Sequence, residues 1–314
     1  MDASIIIQVV LLIIGFVFLI KGSDFFVDGA SSIASLLKIP TIIVGLTIVA
    51  FGTSAPEAAV SITSSLTGNN AMAVSNVIGS NLFNILMVIG VSALLGDLLM
   101  EKSVLNKDLP FLVAITILFA AFILIGWNIT NIEGIILLII LIAYVLYLIR
   151  SSKKSANANK VEKAKLSLPK SIIFIVVGLA GIILGGDLVV NSASDIAMAL
   201  GMSETLVGLT IVAIGTSLPE LVTSLTALKK GENQLVIGNV IGSNIFNILF
   251  VLGASSAISA IPLDSSLLID VVFMLAVTIL CFIFGKTQEK YDKKEGIILV
   301  ALFIVYMAFA ILRN

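Results

Sequence analysis

Residues 44–57 read VGLTIVAFGTSAPE and residues 207–220 read VGLTIVAIGTSLPE, identical at twelve of fourteen positions. Further along, SNVIGSNLFN at 75–84 returns as GNVIGSNIFN at 238–247, and all four segments keep one offset of 163 residues. In a protein that crosses a membrane many times, a duplication of this kind places a binding site where the copies meet. Each copy then supplies half of a cage near the bilayer midplane.

The rest of the chain supports a membrane setting. Of its 314 residues 59% are apolar and only 12% charged, with a mean hydropathy of +1.19, far from soluble domains, in which about a quarter of residues are charged. Ten apolar stretches lie close to 4–20, 41–66, 71–95, 109–126, 134–149, 171–190, 205–228, 235–260, 267–284 and 296–312. Most approach the roughly 17 to 25 residues that a spanning helix needs. Met1 and Asp2 in place of a basic leader, and Lys21 in place of a small-residue cleavage site, mark the first stretch as a retained span. The single Cys281 excludes an internal disulfide framework, and the absence of histidine removes His-based catalysis and His-ligated metal sites.

The basic residues choose the sides. Lys21, Lys38, Lys102, Lys107, Lys229, Lys230, Lys286, Lys290, Lys293, Lys294 and the cluster from Arg150 to Lys170 place 17 of 18 Lys and Arg residues in alternate loops, leaving Arg313 for the other face. Positive charge accumulates on the cytoplasmic side, so both termini are expected outside the cell membrane. Five spans per copy, an odd number, invert the second copy. The expected fold is therefore an all-α integral membrane protein of ten transmembrane helices, built as two inverted five-helix repeats with broken helices at the ion site. The repeats are residues 1–150 and 170–314, and the polar segment 151–169 is a flexible cytoplasmic linker.

Only Glu57 and Glu220 lie deep within apolar stretches; Asp24, Glu133, Asp187, Asp270 and Glu295 fall nearer the ends. A carboxylate at the bilayer centre costs roughly 2.5 kcal/mol or more, so such a residue points to function. A protonated glutamate making one structural hydrogen bond is the plainer alternative for a lone residue, but not for a symmetry-related pair. Gly52, Thr53, Ser54 and Pro56 precede Glu57, and Gly215, Thr216, Ser217 and Pro219 precede Glu220. Each proline removes an amide donor and should free carbonyls around Ala50 to Thr53 and Ala213 to Thr216. Ser80 and Asn84, like Ser243 and Asn247, are four apart and share a helix face. For the asparagines, ion coordination competes with hydrogen bonding between helices. The ligands on offer are all oxygens, which suit calcium or the similarly sized sodium better than magnesium or a transition metal. Two carboxylates neutralise one calcium or two sodium ions, and burying them unpaired would be costly, which favours obligatory exchange over a channel.

GTSAPE with SNVIGSNLFN, and GTSLPE with GNVIGSNIFN, resemble the two alpha-repeats of the sodium/calcium exchanger family, in the calcium/cation antiporter superfamily, and the short linker is similar to that of prokaryotic members. The resemblance covers most of the chain. It implies ten helices, an inverted repeat, and exchange of cytosolic calcium for external sodium by alternating access. It also implies that Glu57 and Glu220 are the central calcium and sodium ligands. Thr53, Ser54, Thr216 and Ser217 would add hydroxyl or carbonyl ligands, and Ala50 and Ala213 carbonyls to flanking sodium sites. Ser80 and Ser243 would be further sodium ligands, with Asn84 and Asn247 lining the middle. Some relatives carry aspartate at the position of Asn247, which leaves stoichiometry, proton contribution and potassium dependence open. The competing transport reading is calcium/proton exchange. An intramembrane enzyme lacks a nucleophile with its base, and neither a cofactor nor a nucleic-acid partner is expected.

Overall fold

The structure is a computed structural model that describes residues 3–68, 70–155, 164–202, 207, 210–211, 213–262 and 267–313. In chain order its helices are α1 (Ala3–Leu37), α2 (Thr41–Thr53), α3 (Ala55–Leu66), α4 (Asn70–Leu95), α5 (Val104–Leu124), α6 (Asn131–Ser155) and α7 (Leu168–Ala199). They continue as α8 (Ala213–Gly215), α9 (Leu218–Lys229), α10 (Asn233–Ile258), α11 (Leu267–Gln288) and α12 (Lys293–Arg313). Among the described residues eight helices are long and apolar enough to cross a membrane, and α2 with α3 forms a ninth span bent by 49°. The expected span at 205–228 runs partly outside the described residues, and its described end is α8 and α9. The chain is a multi-pass, all-α membrane protein.

Burial sorts the helices into layers. The most apolar windows of α4 and α10 are 78% and 89% buried, whereas those of α1, α6 and α12 are 17%, 22% and 22%. The two SN-rich helices therefore form the centre, and the Ile- and Leu-rich helices turn their side chains toward lipid. A helix apolar all round is at home only in such surroundings.

Two expected boundaries move. The first apolar stretch ends at residue 20, but α1 continues to Leu37. The continuation is amphipathic: Ser23, Phe26, Val27, Ala30, Ile33 and Ala34 form a buried stripe at helical spacing. Lys21 is exposed on the opposite side, where its stem can lie along lipid and its ammonium reach outward. The apolar stretch expected at 134–149 is likewise exceeded, because α6 runs to Ser155; residues 156–163 lie outside the described set.

α1 and α7 lie antiparallel along each other. Gly15 faces Gly185 and Val189, Gly22 faces Gly178 and Ile182, and Gly29 faces Ser171 and Ile175. A Cβ on Gly178 would come within 2.5 Å of the Phe26 amide nitrogen, so hydrogen is the only side chain that lets the two backbones approach this closely. Two short antiparallel pairings tie the halves together at their loops. Leu98–Leu99 (β1) pairs with Lys290–Tyr291 (β4), and Asn128–Ile129 (β2) pairs with Ile261–Pro262 (β3).

Candidate functional site

The bent span breaks at Ser54. Pro56 has no amide hydrogen to give to the preceding turn, and α3 restarts with Glu57 in its first turn; Pro219 and Glu220 repeat the arrangement at the start of α9. Each glutamate therefore sits at the positive end of a helix, where a carboxylate is favoured. Both glutamates have no solvent exposure. The Ala50 carbonyl, expected to be released, still accepts the Ser54 amide at 3.0 Å, because the helix holds one turn longer than the proline rule alone suggests. Its second lone pair faces hydroxyls of Thr53 and Ser243 at 3.4 and 3.5 Å.

The two copies interlock by exchanging hydrogen bonds. Ser54 Oγ donates to Glu220 Oε1 at 2.9 Å, and Ser217 Oγ donates to Glu57 Oε1 at 3.1 Å. Ser80 Oγ also reaches Glu57 Oε1, at 3.4 Å. Thr53 Oγ1 donates to Asn239 Oδ1 at 3.0 Å, and Thr216 Oγ1 approaches Asn76 Oδ1 at 3.5 Å. Ser243 lies 3.4 Å from Thr53. One turn further along, Asn84 Nδ2 donates to Asn244 Oδ1 at 3.1 Å, and Asn247 Nδ2 donates to Asn81 Oδ1 at 3.2 Å. Asn84 and Asn247 each open a π-helical turn, Asn84–Ile89 and Asn247–Leu252, the kind of local widening often found at functional sites.

Four buried oxygens in this region meet no protein donor: Glu57 Oε2, Glu220 Oε2, Asn84 Oδ1 and Asn247 Oδ1. Buried acceptors are normally satisfied, so a set of four aligned in symmetry-related pairs calls for an explanation. Of the two roles that competed for the asparagines, hydrogen bonding between helices is present through the amide nitrogens, and each amide oxygen is left without a protein donor. Of the expected residues, Glu57, Glu220, Thr53, Ser54, Ser217, Thr216, Ala50, Ser80, Ser243, Asn84 and Asn247 all fall in this region. Ala213 begins α8 at the equivalent point of the second copy.

Sequence reasoning missed Asn76 and Asn239, and it left Asn81 and Asn244 out of the expected ligand set, although all four lie within the repeated decapeptides. The signal available was identity at both copies. Burial of acids is also wider than expected. Asp108, Asp270 and Glu295 are nearly buried, with Tyr144 donating to Asp108 at 2.9 Å and Tyr306 and Arg313 donating to Asp270 at 3.0 and 2.8 Å. The acids on α5 and α11 have dedicated donors on α6 and α12, whereas each central glutamate keeps one oxygen spare.

Access differs between the two ends. A cavity of about 750 Å³ runs from Asp187 and Asp195 on α7 past Val207 down to Pro56, Thr216 and Pro219. At the other end the equivalent surfaces touch. Ser23 and Thr223 hydroxyls are 3.1 Å apart, Lys230 pairs with Asp28 at 2.9 Å and Asp24 at 3.4 Å, and Ser31 bonds to Glu232.

A helical membrane bundle whose duplicated broken helices meet around buried oxygens has the form of an ion carrier. Sequence and structure comparisons agree. The sodium/calcium exchanger protein family matches residues 7–150 and 170–312, and the chain belongs to that family. CaxA of Alkalimonas amylolytica is 39% identical over 96% of this chain and 98% of its own length. The sodium/calcium exchanger MaX1 of Methanosarcina acetivorans is 31% identical over 96% and 98%. A solved structure of the sodium-calcium exchanger NCX_Mj, soaked with Na+ and Sr2+, superposes with a TM-score of 0.86 at 33% identity, covering 97% of this chain and 98% of that one. The protein is accordingly a cation antiporter and not an enzyme.

Proposed function

We propose that this protein exchanges sodium for calcium across the cell membrane by alternating access. The observation that carries this reading is the set of four buried oxygens without protein donors, two from carboxylates and two from amides. Together with the hydroxyls of Thr53, Ser54, Thr216, Ser217, Ser80 and Ser243 and the carbonyls of Ala50 and Ala213, they supply only hard oxygen ligands. Among the described residues no cluster of three or more His, Cys, Asp or Glu side chains occurs. A site of two carboxylates and many neutral oxygens suits one calcium or two or more sodium ions, and the flexible coordination shell of calcium accepts such a set.

On this reading residues 1–150 and 170–314 are the two repeats, each giving one glutamate. The conformation described is open at the Asp195 end, beside Gln8 of α1, and closed at the Lys230 end. The excess of lysine and arginine puts the Lys230 end and the linker in the cytoplasm, so the open cavity faces outward and both termini are extracellular. Occluding the glutamates without an ion would leave two charges unpaired in a low-dielectric interior, which restricts the change of access to loaded states.

Calcium/proton exchange is the rival, because two carboxylates could instead carry two protons. Neutral hydroxyls in both copies, in addition to the two carboxylates that balance the charge, favour sodium. The test is calcium uptake into proteoliposomes driven in turn by an outward sodium gradient and an outward proton gradient. Uptake is expected with sodium alone; uptake with protons alone would replace the sodium reading.

A further inference from the structure

Asn76 and Asn239 sit in the centre of the network with both the nitrogen and the oxygen of each amide already paired to protein groups. Asn239 Nδ2 donates to the Glu220 carbonyl at 3.3 Å and to Ser224 Oγ at 3.0 Å, while its Oδ1 accepts from Thr53. Asn76 Nδ2 donates to the Glu57 carbonyl at 3.2 Å and to Ser61 Oγ at 2.9 Å, while its Oδ1 faces Thr216. The orientation of each amide is fixed chemically, since a main-chain carbonyl can only accept and so must face the NH2 group.

Each asparagine therefore joins parts of the two copies. Its nitrogen holds the first turn of the helix that carries its own glutamate, and its oxygen takes the hydroxyl hydrogen of the threonine just before the break in the opposite copy. A threonine whose hydrogen is committed to an amide presents lone pairs, not hydrogen, in its remaining directions, and a cation requires that orientation. Without the amide, the remaining acceptors near Thr53 are the Ala50 carbonyl and the Ser243 hydroxyl, each at 3.4 Å and each an expected ligand.

We propose that Asn76 and Asn239 are positioning residues for ion binding: each locks its own glutamate helix and orients the opposite copy's threonine hydroxyl, so that the two halves of the cage are competent only together. This rests on the ion-exchange reading above. It extends that reading to two side chains that coordinate nothing.

The experiment measures calcium binding to purified full-length protein by calorimetry, which is independent of the driving ion. Asn239→Leu keeps the branched shape of the side chain and removes the donors and the acceptor; it should weaken calcium binding about tenfold, as expected for loss of well-placed buried hydrogen bonds. Thr53→Val should weaken it as well, and the double variant should lose less affinity than the product of the two single effects, because Asn239 acts on the ion partly through Thr53. In reconstituted exchange the same variant should raise KM more than it lowers maximal rate. A purely structural role would lower thermal stability while leaving the calcium Kd within twofold of wild type, or would give fully multiplicative effects with Thr53→Val; either result overturns the proposal. If Asn239→Leu does not fold, the pair Asn76→Leu and Thr216→Val gives the same reading at a half-exposed asparagine. Glu57→Gln serves as control: loss of binding there with an unmoved Kd in the asparagine variants defeats this proposal alone, whereas no calcium binding by wild type defeats the exchange reading with it.

Discussion

Ser217 donates its hydroxyl hydrogen to Glu57 at 3.1 Å, across 160 residues of chain. The equivalent bond from Ser54 to Glu220 is 2.9 Å long. Each carboxylate is thus oriented by the copy that does not carry it, so neither repeat can build its half of the cage alone.

Glu57→Gln and Glu220→Gln should each reduce calcium uptake in proteoliposomes to the level of empty vesicles, while the protein still elutes as a single folded species. An amide can replace the oxygen but not the charge that balances a divalent cation. Near-normal exchange by either variant would remove the central claim.

Ser217→Ala and Ser54→Ala should act more mildly. Each deletes one hydrogen bond to a charged group, an interaction worth about 1.5 to 3 kcal/mol. The apparent calcium affinity should fall about tenfold or more, with exchange still measurable at saturating calcium. Equal effects in the two variants would fit the symmetry of the contacts.

Asn247→Asp would bring a carboxylate against Asn81 Oδ1, where the amide now donates at 3.2 Å, and add a third acid to the cage. Exchange rate against pH should become steeper, with activity lost on acidification as protons compete for the added charge. Asn244→Asp should instead lower folding yield, since the Asn244 amide donates to the Asn81 carbonyl and its oxygen accepts from Asn84. Superimposable pH profiles for Asn247→Asp and wild type would confine Asn247 to helix packing.

Lys230→Gln should loosen the closed end. It removes ion pairs to Asp24 and Asp28 and a bond to the Asp24 carbonyl. In a Cys281→Ser background, a cysteine replacing Ser23 should react several-fold faster with an impermeant thiol reagent from the Lys230 side. Unchanged reactivity would mean that packing around Ser23 and Thr223 closes this end by itself.

Topology has its own check. A cysteine replacing Ser155 should be modified from the cytoplasmic side alone, as the segregation of basic residues requires. Modification from outside intact cells would reverse the assigned orientation.

The class of protein was legible in the chain because hydropathy is additive and local: apolar runs of sufficient length, separated by loops of which every second one carries the lysines, specify a multi-pass membrane protein without any knowledge of packing. The duplicated motifs similarly exposed Glu57 and Glu220, since a carboxylate within an apolar run is anomalous wherever the chain takes it. Partners were another matter. Read locally, Ser54 and Glu57 have the spacing of a helix-capping pair that would satisfy the start of α3 by itself, yet Ser54 makes no capping bond and turns to Glu220 instead. The length of α1 was hidden because its second half is held by one buried stripe against the rest of the protein and not by hydropathy. Asn76 and Asn239 escaped notice because an asparagine at a given helix position looks the same in sequence whether it coordinates, caps or couples. Which of these it does is decided by the groups that folding brings to its two ends: the nitrogen's partners come from the same copy of the repeat, and the oxygen's comes from the opposite one.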